Sequence, residues 1–173
     1  LLSTTLLSTT LLSTTLLSSS SKNLTQDQIR RGISIHTDDI DVFKGTVLEN
    51  IQLGNEKITV EKINHIAQKI GIDDFGTKFT NGFLTKIQDG NSQLSSSNKK
   101  IILLLRALAT DNKIIILEDP YDGLSKEIKE KMIAFLQELA KEKTIIVVTQ
   151  DDDFIQKAHQ HFHMINGLLE TKK

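Results

Sequence analysis

Glu118 and Asp119 are the residues of this chain best placed for chemistry: two adjacent carboxylates that follow the short apolar run Ile114, Ile115, Ile116, Leu117. The run is β-branched and aliphatic, too short for a helix and without alternation, which predicts a strand covered on both faces in a parallel sheet. Open α/β sheets hold their ligands at the carboxyl ends of their strands, and the acid pair would lie there. Upstream, Ser95, Ser96 and Ser97 supply turn and N-cap chemistry to a helix that is apolar almost all round from residue 101 to 108. A separate constellation is His159, His161 and His163, which on a strand would project three imidazoles from one face. Such a face could ligate Zn²⁺ or Ni²⁺, and a solvated strand face explains the same pattern. No G-x-S-x-G nucleophile elbow occurs.

Several elements must position these groups. Ile33 to Ile35 is a short strand candidate, and Thr25 can cap a short helix over 26–31. A helix over 59–71 is marked by Thr59 as N-cap, by Ile63, Ile66, Ala67 and Ile70 on one face, and by Gly71 as the stop. Ser125 caps a helix to about Lys141 with Ile128, Met132, Phe135, Leu136 and Leu139 as its core stripe. Residues 144–148 form a buried strand, residues 152–158 a helix, and residues 162–165 a strand that turns at Asn166-Gly167 into Leu168 and Leu169. Alternating strands and helices predict a mostly parallel sheet with flanking helices, an α/β fold.

The N-terminal 21 residues stand apart as an LLSTT repeat ending in serines. Each five-residue repeat would advance the leucine pair by about 140° on a helix, so the period matches neither helix nor strand and a low-complexity arm is expected. With no basic start and no unbroken apolar core it does not read as a secretory signal.

Composition narrows the function classes. A chain of 173 residues suits one domain, and a net charge of −1 gives no basic surface for nucleic acid. Cysteine is absent, which removes disulfides, thiolate metal sites and cysteine catalysis and fits a reducing compartment. No apolar run approaches the roughly 20 residues that span a bilayer, so a membrane link would come through a partner.

Two segments carry a resemblance to a known family. The order serine turn, helix ending in Arg106-Ala107-Leu108, apolar strand, two acids, Pro120 and Leu124 resembles the signature-to-Walker-B segment of ATP-binding cassette (ABC) nucleotide-binding domains, where the pattern is LSGGQ, ARAL, four apolar residues, DE and a loop ending in LD. Phe43-Lys44-Gly45-Thr46-Val47-Leu48-Glu49-Asn50-Ile51 resembles the F-x-G-T-V-x-E-N-I segment of exporter-type members. Gly82-Phe83-Leu84-Thr85 and Asp89-Gly90 are similar to that family's approach to its signature. The resemblance implies a P-loop NTPase-like fold with a helical subdomain at about 52–105 inside a domain over 22–173. It also implies ATP and Mg²⁺ as ligands, and as partners a transmembrane domain of an ABC exporter and a second nucleotide-binding domain.

The resemblance also assigns roles and shows departures. By position, Glu118 would hold Mg²⁺ and Asp119 would polarise the attacking water, but the family order is aspartate then glutamate. Exchange shifts each carboxylate by about 1 Å, a displacement that can cost about 10²-fold in rate. Gln150 stands where the family has its switch histidine; it can donate to a phosphate but cannot carry imidazolium charge. Asp38 stands where a glutamine touches metal and water, and the surrounding acids also read as a surface turn. Leu94, Ser95, Ser96, Ser97 and Asn98 would face a partner's ATP, with serines replacing both glycines and so holding the phosphate further off. Asp122 lies on the loop resembling the D-loop, with Ser125 at its usual terminal aspartate.

No G-x-x-x-x-G-K-[ST] occurs, so the backbone cradle and lysine that grip a triphosphate are missing from the 173 residues. Ser-Thr-Thr-Leu-Leu in the repeat resembles the start of the helix after a P-loop, making the domain N-terminally incomplete in this reading. The expectation is a degenerate exporter-type domain, cytoplasmic and peripheral to the membrane through its partner. It would bind ATP and Mg²⁺ weakly or with a partner's help and turn over little of its own. The alternatives are an active ATPase whose phosphate-binding loop lies outside this chain, and a structural remnant.

Overall fold

The computed structural model describes residues 2–6, 25, 32–88, 94–165 and 168–171. In chain order its elements are β1 (Leu2–Leu6), β2 (Ile33–His36), β3 (Gly45–Thr46), α1 (Val47–Gln52), α2 (Val60–Lys69), two short 3₁₀ turns (Phe75–Lys78 and Gly82–Leu84) and β4 (Lys86–Ile87). There follow α3 (Ser96–Leu108), β5 (Ile114–Glu118), α4 (Lys126–Leu139), β6 (Thr144–Val148), α5 (Asp152–Lys157), β7 (Gln160–Ile165) and β8 (Leu168–Thr171). The chain divides into two compact units, residues 1–37, 112–120 and 133–173 in the first and residues 38–111 and 121–132 in the second.

The first unit is built on a sheet whose described strands run in the order β2-β5-β6-β1-β7-β8. β5 pairs in parallel with β2 on one side and β6 on the other, with Ile116 opposite both Ile35 and Ile146. β1 is antiparallel to both β6 and β7, and β8 is antiparallel to β7. Four strands therefore share one direction and two oppose it: β2, β5 and β6 form the parallel part expected from the alternation of elements, and β1, β7 and β8 join it through antiparallel pairings. Within β5, Ile115 and Leu117 are buried and Ile114 and Ile116 half-buried. Helical cover includes Phe154 of α5 and Leu136 of α4, neither of which retains any solvent contact.

For residues 2–6, β1 corrects the expectation of a low-complexity arm without secondary structure. Residues 2–6 are a strand because pairing is non-local: Thr4 lies opposite Val148 on one side and Phe162 on the other, and two flanking edges satisfy a backbone whose own pattern announces nothing. The β-branched Thr4 and Thr5 suit such a pleat. Residues 7–21 lie outside the described residues, as do the helix expected at 26–31, the Asp89-Gly90 segment and the Asn166-Gly167 turn. The turn's flanking strands pair as expected, Ile165 opposite Leu168.

The second unit is helical, with a two-stranded β3–β4 ladder. Thr59 caps α2 by accepting from the Lys62 N–H at 3.2 Å. Ile63, Ile66 and Ala67 are its buried face, and Gly71 leaves it at φ +80°, a left-handed conformation that favours glycine. Phe75 is fully enclosed and meets the Phe79 ring edge-on, centroids 5.1 Å apart. Residues 101–109 of α3 and its C-cap are all buried, as the all-round apolar run predicts. Ser125 starts α4, its hydroxyl accepting from the Ile128 N–H at 3.3 Å. Met132, Phe135 and Leu136 of the expected stripe are buried, while Ile128 and Leu139 are half-buried.

Candidate functional site

In the first unit the candidate groups gather at the carboxyl edge of the β5–β6 pair. Glu118, the last residue of β5, lies opposite Val148, and the Asp119 N–H donates to the Val148 carbonyl at 3.0 Å. Asp119 adopts φ +35°, in the left-handed region. Aspartate enters that region more readily than most L-residues because its short polar side chain can bond locally. The reversed acid order therefore suits the backbone: the shorter acid stands where the chain turns left-handed, and Pro120 is buried immediately beyond it. On the neighbouring strand, Thr149 is buried and its Oγ1 accepts from the Asp151 N–H at 3.1 Å. The Asp151 carboxylate accepts from the N–H groups of Asp153 at 3.0 Å and Phe154 at 3.3 Å. Gln150 is held between these anchors and is exposed. Glu118, Asp119 and Gln150 are thus brought to one edge, where the acids offer oxygen donors of the kind Mg²⁺ takes.

The second unit gathers the other candidates around the start of α3. Ser95 is the N-cap, its Oγ accepting from the Asn98 N–H at 3.1 Å; Ser96 and Ser97 are exposed first-turn residues, and Leu94 and Asn98 are half-buried. The Ser95 hydroxyl satisfies one of the N–H groups that a helix start leaves open. Ser95→Ala should cost about 1 kcal/mol of stability in urea unfolding. A neutral result would show that the cap does not form in solution.

Two lysines on the next residues of α3 meet the acids of the 38–41 loop and of the loop at 122. Lys99 Nζ is 2.8 Å from Asp41 Oδ1, Lys100 Nζ is 3.8 Å from Asp38 Oδ1, and Lys100 also donates to Asp122. The Lys100 hydrogen bond and charge hold the Asp122 carboxyl below the ordinary aspartate range. The Lys99 hydrogen bond, aided by the Val42 N–H, does the same for Asp41. Carboxyls depressed in this way stabilise the fold above the ordinary aspartate pKa, and that contribution is lost as pH falls through the lowered value. Lys100→Met should let the Asp122 pKa rise towards its ordinary value in a carboxyl NMR titration. An unmoved Asp122 would contradict the pairing.

Asn50 and Arg106 form a buried hub behind this loop. The Asn50 Nδ2 donates to the carbonyls of Phe43 and Thr46, both at 2.9 Å, and its Oδ1 accepts from the Phe43 N–H at 2.8 Å. Arg106 donates through Nε to the Asn50 carbonyl at 2.6 Å and through Nη2 to the Asn50 Oδ1 at 3.2 Å, while Nη1 reaches the Asp41 carbonyl at 3.3 Å. Burial pushes the Arg106 pKa down and the Asp41 charge opposes it. Thr46 and Glu49 complete a capping box at α1: the Glu49 N–H donates to Thr46 Oγ1 at 3.1 Å, and the Thr46 N–H to the Glu49 carboxylate at 2.6 Å. A Cβ on Gly45 would stand 2.9 Å from that carboxylate and 3.2 Å from the Phe43 ring, so a larger residue here would require the capping Glu49 side chain to shift.

Each unit thus assembles its own share of the candidates: Glu118, Asp119 and Gln150 in the first, and Asp38, the 94–98 segment and Asp122 in the second. The sequence did not single out Lys99, Lys100 or Arg106 for these roles, because their partners lie tens of residues away; Asn50 joins its local partners Phe43 and Thr46 to the distant Arg106. Among the described residues no three His, Asp or Glu side chains gather as a metal cluster.

No family model matches the chain. It is 31% identical over 146 residues to an uncharacterized ABC transporter ATP-binding protein, YknV, of Bacillus subtilis, a match covering 84% of this chain and 24% of that protein. It is 30% identical over 131 residues to the ATP-binding cassette sub-family B member 5 of Homo sapiens, covering 76% of this chain and 10% of that protein. The chain belongs to the ATP-binding domains of ABC exporters. A bacterial Atm1-family ABC exporter with ATP bound shares the fold of this domain at a TM-score of 0.68 and 20% identity, over 79% of this chain and 24% of that one. The ABC domain described here therefore spans about a quarter or less of these proteins' lengths, and among its described residues no helix is long and apolar enough to cross a membrane.

Proposed function

We propose that this is a degenerate ABC exporter domain that senses ATP at an interface shared with a second such domain and relays closure to a transmembrane partner, with little hydrolysis of its own. The observation that carries the reading is the carboxyl edge of β5. It keeps an acid pair, but in the order Glu118 then Asp119, with the backbone at Asp119 turned left-handed. Glu118 would hold Mg²⁺ and Asp119 would face water. The residues present fit the ion better than the triphosphate, because no P-loop pattern occurs in the chain to cradle phosphates. When bound, Mg²⁺ would neutralise phosphate charge. The chain's own contribution is to orient these carboxylates and, through Gln150, to offer an uncharged amide donor.

Asp122 and residues 94–98 would line the side facing the partner's nucleotide, Asp38 would take the place of the glutamine that touches metal and water, and the loop over 38–50 would dock on the transmembrane partner and bring the domain to the membrane. Support for docking comes from the Asn50–Arg106 hub and the capping box, which fix the loop's backbone from Phe43 to Thr46. Calorimetric titration of the purified chain with Mg-ATP tests the reading. Dissociation constants weaker than about 1 mM are expected, and micromolar binding by the chain alone would overturn it.

A further inference from the structure

We propose that His161 and His163 form a chelating pair for a divalent first-row cation on the face of β7, a site apart from the nucleotide chemistry. Both lie within β7, two residues apart and therefore on the same face, and their ring centroids are 4.2 Å apart with the planes inclined at 57°. Two imidazoles on one cation, each at a metal–nitrogen distance of about 2.0–2.1 Å, place their centroids roughly 5 Å apart, a change that a modest rotation of either ring supplies. The second observation is the His163 Nε2, which is buried and has no hydrogen-bond partner among the described residues. A buried ring nitrogen left without a partner is costly, and a shared cation would satisfy it. The β7–β8 register places Glu170 opposite His163. His159, the third member of the sequence pattern, precedes the strand and is exposed, so it does not belong to the pair. Imidazole donors suit Zn²⁺, Ni²⁺ and Cu²⁺ rather than Mg²⁺ or Ca²⁺, which separates this site from any ion held by Glu118.

The test is a titration of the full chain with Ni²⁺ followed by the imidazole resonances of its five histidines. Paramagnetic broadening of His161 and His163 at substoichiometric Ni²⁺, before His65 and His159, is the expected result. Equal broadening of all five, or broadening that begins at His65 or His159, would overturn the proposal. Zn²⁺ affinity, read by competition with a chromogenic chelator, should weaken at least ten-fold in His163→Gln and His161→Gln and stay unchanged in His65→Gln. Unchanged affinity in His163→Gln would overturn it as well. Neither measurement involves ATP, so the outcome is independent of the proposed nucleotide role.

Discussion

Replacing Asn50 by alanine is expected to lower the unfolding free energy by about 4 kcal/mol, the largest loss from any single polar side chain here. The Asn50 side chain is fully buried and makes four hydrogen bonds: two donated to the Phe43 and Thr46 carbonyls, and two accepted from the Phe43 N–H and Arg106. Each group left without a partner costs about 1–3 kcal/mol, and the sum is reduced because the loop carrying Phe43 is exposed enough to rehydrate in part. Domains of this size hold about 5–15 kcal/mol in total, so the variant should stand near the edge of unfolding. Asn50→Asp keeps the Oδ1 acceptor and adds charge beside Arg106 while losing both donations, and it should fall between wild type and alanine. Urea unfolding of the three proteins checks the order, and an Asn50→Ala variant within about 1 kcal/mol of wild type would show that the hub does not hold the loop.

Leu117→Ala should cost nearly as much, about 3–4 kcal/mol, for an apolar reason. Leu117 is fully enclosed in β5, opposite His36 of β2 and Val147 of β6, and a close-packed site collapses only in part when a leucine is cut back. Ile35, on the neighbouring strand but 44% exposed, gives the contrast: Ile35→Ala should cost less than about 1 kcal/mol. Similar urea midpoints for the two variants would contradict the interior placement of β5.

What the sequence made legible was local or periodic. The caps at Thr59, Ser95 and Ser125 follow from residue type directly before an apolar-periodic stretch, and each forms the side-chain hydrogen bond expected of it. β5 and β6 were readable because a short aliphatic run in an alternating chain has few other places to go. What stayed hidden was set by distant partners. β1 is a strand because β6 and β7 flank it, although its repeat shows no strand period. The Arg106–Asn50 bonds join residues 56 apart in sequence, and the Lys100–Asp122 bond joins residues 22 apart, so no window of local pattern contains them. Likewise the reversed acids read as a simple exchange of arm lengths. The left-handed backbone at Asp119, which the shorter acid tolerates, is invisible to residue type alone. The strand expected at 162–165 begins two residues earlier, at Gln160, so it takes in His161 and His163 and leaves His159 outside.

The ABC fold is retained here, and the proposal of little hydrolysis rests on the exchanged acids Glu118 and Asp119. Phosphate release by the purified chain, with saturating Mg-ATP and an Asp119→Asn variant as the reference, addresses it most directly. The account predicts the same rate for both proteins, indistinguishable from buffer. Sustained turnover by the wild-type chain that Asp119→Asn abolishes would contradict it.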